Sequence, residues 1–169
     1  MASQGEQETW ERYVREANRP VGNLYLDIRL EKEVVKSNED VNLEVKLCNV
    51  GAKDLYIPFD LARNPLKLCV FDPDNTTFVY KSAETRPPVG EFVPYTRIAP
   101  GCFVGTRIPI LLSRSNVPPG RYYVMVSYQS DTERSLLAPE VEGVEVLLWR
   151  GLCRSKVLEL RIQKGRAKR

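Results

Sequence analysis

The chain of 169 residues has no histidine. That absence removes Ser-His-Asp and Cys-His nucleophile sites, imidazole-ligated zinc and imidazole proton shuttles. No apolar run approaches the roughly 20 residues that a membrane-spanning helix needs. None of the four cysteines, Cys48, Cys69, Cys102 and Cys153, belongs to a C-x-x-C pair, and their spacing fits no zinc site. There is no Gly-rich phosphate loop and no G-x-S-x-G elbow around Ser113 or Ser115. The opening Met1-Ala2-Ser3-Gln4-Gly5 lacks the basic and then apolar stretches of a signal peptide. As written the protein reads as cytoplasmic, or as secreted or periplasmic had a signal been removed. Together these gaps predict a protein that is not an enzyme and carries no cofactor or metal.

What is present is an ordinary soluble composition, 43% hydrophobic and 28% charged. At this length one domain can bury a core unaided. Of the net charge of +3, the last six residues, Lys164 to Arg169, carry +4, so the rest carries −1. The basic end reads as a solvated tail, since no aromatic-interleaved basic patch accompanies it, and no nucleic-acid partner is expected. Cysteines set in apolar runs behave as small buried hydrophobes, so reduced thiols are favoured over two bridges. Asn75-Thr76-Thr77 is a glycosylation sequon, relevant only in a secreting eukaryotic host.

Residues 3–17 read as a short helix. Ser3 and Glu6 fit a capping box, and Trp10, Tyr13, Val14 and Ala17 form one apolar stripe that Pro20 and Gly22 end. That stripe either packs on the domain's own sheet or docks another chain through Trp10, Tyr13 and Val14, which would make a homo-oligomer. From Leu24 the period changes to two. Leu24, Leu26, Ile28 and Leu30 alternate with polar residues, as do Val41, Leu43, Val45 and Leu47, then Tyr122, Val124, Val126 and Tyr128, then Leu158, Leu160 and Ile162. Such alternation marks half-buried strands with one wet face. Leu55 to Ile57, Leu66 to Val70 with a hairpin return over Thr77 to Tyr80, Tyr95 to Ile98, and Val104 to Leu112 add more. Pro109 places the last of these at a sheet edge or a bulge. Eight or nine short strands without intervening helices predict an all-β, immunoglobulin-like antiparallel β-sandwich with a short N-terminal helix. The boundaries are 1–22 for the helix and linker, 23–163 for the sandwich and 164–169 for the tail.

Pro118-Pro119-Gly120-Arg121-Tyr122 resembles the tyrosine-corner region of immunoglobulin-like and fibronectin-like domains, with Tyr122 at the position whose hydroxyl bonds back to backbone. Val45 to Gly51 resembles a strand ending in Asn-x-Gly. Val70-Phe71-Asp72-Pro73-Asp74-Asn75 is similar to a V-x-D-x-D-G hairpin, with Asn75 in place of the turn glycine. Ile98-Ala99-Pro100-Gly101 resembles an L-x-P-G turn. Taken in order, the four pieces are similar to bacterial immunoglobulin-like domains, among them the intracellular proteinase-inhibitor domain of bacilli. The resemblance covers about half the chain and implies that fold, with inhibition through a surface loop as one function.

Among chemical readings, Asp72-x-Asp74 lacks the later ligands of a calcium loop and reads as a turn. Glu44, Glu145 and Glu159 alternate with apolar residues and so lie on wet strand faces rather than converging in a cleft. Trp149, Tyr25, Tyr56 and Tyr123 would form a sugar-stacking platform if they shared a solvent face. The segments 81–94 and 129–143 are long for such a domain, and Arg86, Phe92, Leu136 and Leu137 in them are candidate partner-binding residues. The expected function is a non-catalytic protein-interaction module with a protein partner. A proteinase inhibitor and a carbohydrate-binding module are the alternatives.

Overall fold

A computed structural model describes residues 13–58, 66–72, 74, 77–81, 95–130, 134–136 and 145–165. Residues 13–16 are helical. Thirteen strands follow: β1 (Leu24–Leu30), β2 (Val34–Lys36), β3 (Val41–Asn49), β4 (Leu55–Ile57), β5 (Leu66–Asp72), β6 (Thr77–Lys81), β7 (Thr96–Ile98), β8 (Phe103–Ile110), β9 (Gly120–Ser130), β10 (Arg134–Leu136), β11 (Glu145–Leu147), β12 (Gly151–Arg154) and β13 (Leu158–Gln163). A single 3-10 turn over Leu112–Arg114 stands between β8 and β9.

Sheet A has the order β1-β3-β8. Sheet B has the order β2-β13-β9-β5-β6, with β12 also paired to β9. Two small ribbons, β4-β7 and β10-β11, pair separately from them, and Ile57 and Ile98 of the first enter the same core. The inward rows of both sheets enter one buried cluster. Sheet A supplies Leu24, Leu26, Ile28, Leu43, Val45, Leu47, Ile108 and Ile110. Sheet B supplies Leu66, Leu68, Val70, Tyr122, Val124, Val126, Tyr128, Leu160 and Ile162. Each buried aliphatic side chain contributes about 2 kcal/mol of transfer free energy, and alternation keeps this face dry while the other stays polar.

Among the described strands, pairing is antiparallel everywhere but between β2 and β13. After Leu30 the chain leaves sheet A, and β2 runs parallel to β13, with Val35 opposite Ile162. Arg161 N–H donates to Glu33 O at 2.8 Å and Ser37 N–H to Gln163 O at 2.8 Å. This departs from the all-antiparallel expectation, because a three-residue strand with one buried valine leaves no periodicity to read. The strands β10, β11 and β12 also fall where the sequence showed no clear alternation. Pro109 sits opposite Asn42 on β8, at the edge of sheet A, where a missing ladder donor costs least.

The partners β12 and β13 are one strand interrupted by a bulge. Arg154 lies opposite Ser127 and Leu158 opposite Val124, so three residues of one strand face two of β9. Ser155 repairs the gap. Its N–H donates to Val126 O at 2.9 Å, and its Oγ accepts from Val126 N–H at 2.9 Å.

Asn49 ends β3 inside the protein, 1% exposed. Its Nδ2 donates to Lys53 O at 2.7 Å and Ile98 O at 2.8 Å, and its Oδ1 accepts from Gly51 N–H at 2.9 Å. Its backbone accepts from Gly101 N–H and donates to Cys102 O, each at 3.0 Å. The Asn-x-Gly and Ala-Pro-Gly segments therefore meet at one residue. Gly51 cannot be replaced easily, since a Cβ there would lie 2.7 Å from the Asn23 side chain. Gly101 turns with φ +74°.

Asn49→Ala should destabilise the protein by about 2–3 kcal/mol in urea unfolding, because it strands the buried Ile98 carbonyl, the part-buried Lys53 carbonyl and one N–H. Asn49→Asp should not rescue it, since a carboxylate cannot donate to those carbonyls. A second prediction concerns acid. Asp40 Oδ1 accepts from Ser113 N–H at 2.8 Å, and this bond holds its carboxyl below the usual aspartate range. A lowered folded-state pKa adds stability above the unfolded value and loses it as pH falls through the folded one. The stability gap between wild type and Asp40→Asn, read from urea midpoints, should therefore narrow as pH drops from about 4 to about 2.

Candidate interaction surface

The outer face of sheet A is set by register. Three rows cross it: Tyr25–Cys48–Phe103, Asp27–Lys46–Gly105 and Arg29–Glu44–Arg107. Each residue alternates with a core residue on its own strand, so all nine point away from the core. Phe103 is 56% exposed at the end of this face, and Val50, just past Asn49, is 53% exposed. Lys46 Nζ stands 4.6 Å from the centre of the Phe103 ring. Gly105, directly opposite Lys46, leaves that space clear. Such a cation–π contact is worth about 0.5–1 kcal/mol at an exposed site, enough to orient the ring without covering it.

The rim is charged in both signs. Arg107 bonds Glu44 at 3.2 Å, and Lys156 approaches Asp27 at 3.4 Å. Beneath Phe103 the backbone is fixed by Asn49, whose N–H bonds Cys102 O. An aromatic residue thus stands on a strand held at both its turn and its ladder. Phe103 was not singled out in the sequence. Its signal was phase: it is a large apolar residue one position out of step with Val104, Thr106, Ile108 and Ile110.

The sequence candidates lie elsewhere. Arg86, Phe92 and Leu137 are outside the described residues, as are Trp10, Asn75 and residues 166–169. Leu136 belongs to β10 and pairs with Glu145. Tyr13 packs on the outer face of sheet B with Cys69, Phe71, Met125 and Tyr123, while Val14 is 49% exposed. Tyr122 is buried, and its hydroxyl donates to Pro118 O at 2.6 Å. Among the four aromatics considered for sugar stacking, Trp149 is buried against Tyr128 with ring centres 5.3 Å apart, and its Nε1–H donates to Val21 O at 2.8 Å. Tyr25 lies outside sheet A, Tyr123 lies outside sheet B beside Phe71, and Tyr56 meets Tyr95 in the β4-β7 ribbon. They do not share a face.

Charged and reactive groups are held in local pairs. Glu159 bonds Arg161 at 2.8 Å and Asp54 bonds Arg97 at 2.7 Å. Asp74 N–H donates to Asp72 Oδ1 at 2.9 Å, the backbone bond of an Asx turn. Among the described residues no group of three His, Cys, Asp or Glu side chains is placed to hold a metal ion, and no helix is long and apolar enough to cross a membrane. All four cysteines are free thiols. Burial pushes the Cys153 thiol up, and its Sγ lies 3.4 Å from Leu24 O. Burial and the Asp27 carboxylate push the Cys48 thiol up as well.

No family model matches the chain, and no curated protein matches it. Among solved structures, a CARDB domain from Pyrococcus furiosus in complex with di-metal ions is similar at 12% identity, covering 84% of this chain and 94% of that one with a TM-score of 0.41. A β-glucosidase from Listeria innocua is similar at 13% identity, over 88% of this chain but 17% of its own, with a TM-score of 0.38. An alkylpurine DNA glycosylase from Pseudomonas fluorescens is similar at 9% identity, over 94% of this chain and 38% of its own, with a TM-score of 0.37. Likenesses this remote carry no argument about what the chain does.

Native alkylation followed by peptide mass spectrometry checks the thiol environments. Cys102, exposed in its turn, should react first and Cys48 more slowly. Cys153 should stay unmodified until the protein unfolds.

Proposed function

We propose that the protein is an immunoglobulin-like β-sandwich acting as a non-catalytic protein-interaction module, and that the partner binds the outer face of sheet A around Phe103. The strand orders support the fold reading. One sheet of β1-β3-β8 and one of β2-β13-β9-β5-β6, with β2 parallel to the last strand, follow the A-B-E and A′-G-F-C-C′ pattern of that architecture. The Tyr122–Pro118 bond at the start of β9 has the geometry of a tyrosine corner.

The observation that carries the functional reading is Phe103, an aromatic side chain more than half exposed on a paired strand, with Lys46 against its ring and the Arg107–Glu44 pair further along the same face. Aromatic anchors inside a polar rim dominate protein interfaces, and a rigid display lowers the entropy cost of association. The mixed-sign rim formed by Arg107, Glu44, Lys46 and Asp27 suits a polypeptide with charges of both signs better than a polyanion. A sugar platform would need stacked rings on a common face, and Trp149 is committed to the interior.

The test compares full-length wild type and Phe103→Asp, each immobilised and exposed to extract of the source organism. Proteins retained by the wild type and not by the variant should be found. For one purified retained protein, Phe103→Ala should weaken binding about tenfold or more while leaving the urea midpoint unchanged. Equal retention by both chains would overturn the reading. Inhibition of a proteinase panel at micromolar concentration would replace it with the inhibitor.

A further inference from the structure

Sheet A ends in a strand whose outer edge is open. Alternation along β3 fixes which way each backbone group points. Val50 N–H donates to Asn23 O, and Asn42 O accepts from Glu31 N–H, so the even-numbered residues of β3 bond toward β1. Asn49 N–H donates to Cys102 O, so the odd-numbered residues bond toward β8. The residues opposite them are Val104, Thr106, Ile108 and Ile110. The N–H and C=O groups of Phe103, Gly105 and Arg107 therefore point outward along the edge. Among the described residues nothing bonds to these groups, and no described strand but β3 pairs with β8. Gly105 is exposed, and a glycine consists of backbone, so the edge itself meets solvent there.

Pro109, opposite Asn42, also faces outward. Its missing N–H costs sheet A no ladder bond, and it stops an added strand from bonding past Arg107. The other edge of sheet A is engaged at its start, since Leu24 exchanges backbone bonds with Val21 at 2.9 and 3.0 Å. Unpaired edges are templates for a further strand. What remains is a short open ladder centred on Gly105.

That ladder is self-complementary. A two-fold axis at Gly105 sets two copies of β8 antiparallel, with Gly105 opposite Gly105 and Phe103 opposite Arg107 in hydrogen-bonded register. Each outward N–H then meets a C=O. The rows of the outer face continue across the join. Tyr25–Cys48–Phe103 runs on into Arg107, Glu44 and Arg29 of the second copy, and Asp27–Lys46–Gly105 runs into its own inverted repeat. Phe103 has Lys46 on one side, 4.6 Å from its ring centre, and receives the second copy's Arg107 on the other. That guanidinium brings its own Glu44, so the join gathers charges of both signs. The two Lys46 strands stand three strand spacings apart, about 14 Å, which is further than physiological salt lets exposed charges repel. A foreign strand would have to supply a small central residue and a cation at the right step, and this chain already supplies both.

We propose that the partner of the outer face of sheet A is a second copy of this chain, joined edge to edge through β8 into one sheet of order β1-β3-β8-β8-β3-β1. The proposal names the occupant of the surface around Phe103 and rests on that surface being an interaction site.

The full-length wild type should show a monomer–dimer equilibrium in analytical ultracentrifugation over micromolar to sub-millimolar concentrations. Gly105 has room for a side chain, since a Cβ there meets nothing closer than Val45 O at 3.4 Å. Gly105→Lys and Gly105→Glu each set like charges directly opposite across the two-fold, and each should weaken the dimer about tenfold or more with an unchanged circular dichroism spectrum. Mixed in equal amounts, the two variants should pair again, seen as a mixed dimer by native mass spectrometry, because each lysine then faces a glutamate. That restoration separates edge pairing from a defect in folding. A dimer indifferent to both substitutions, or no mixed dimer, would overturn the proposal. A wild type that stays monomeric and retains another protein through Phe103 would overturn it while leaving the interaction site in force. A wild type that stays monomeric and retains nothing through Phe103 would remove both.

Discussion

One buried amide holds the arrangement of loops at the end of sheet A. Asn49 bonds Lys53 O, Ile98 O and Gly51 N–H from a position closed to water. Each bond alone is worth about 1 kcal/mol net, but leaving any of these groups unpaired inside the protein costs more. The side chain therefore acts as a fixed junction between the turn after β3 and the turn before β8. Phe103 follows directly, and its place in register with Cys48 depends on that junction. The proposed interaction surface stands beside this junction.

The two sheets share a core and differ in their outer faces. Sheet A presents rows of charge with one aromatic at the end. Sheet B presents an apolar strip flanked by Arg154 at one end and by Arg121 and Arg161 at the other. The bulge at Ser155 helps to shape the second face. An extra residue there shifts β13 relative to β12, and Ser155 closes the resulting gap with two bonds to Val126. The same Val126 carbonyl lies 3.5 Å from the Tyr13 hydroxyl, so the N-terminal segment reaches the sheet at its irregular point.

Much of the fold was legible because burial and alternation are local signals. Leu24 to Leu30, Val41 to Leu47, Tyr122 to Tyr128 and Leu158 to Ile162 show the pleat directly, and each is a strand with its apolar side inward. Pro109 marked an edge. The short strand β2 was not legible, since its partner is more than a hundred residues away and pairs in parallel. Nor was the role of Trp149, which ends an apolar run but packs on Tyr128 and bonds Val21, both distant in the chain.

The candidate surface was harder to read than the fold. Phe103 and Lys46 are 57 positions apart, and only the β3-β8 register brings them together. Composition and periodicity by themselves determined an all-β chain with wet and dry strand faces and no imidazole chemistry, because those properties depend on residue type and on neighbours two positions away. Tertiary structure alone decided which wet face is apolar and covered, which one leaves an aromatic ring exposed, and which polar residue, Asn49, is sealed inside. Those outcomes depend on what lies across the sheet or above it, and no local pattern records a partner that is distant in the chain.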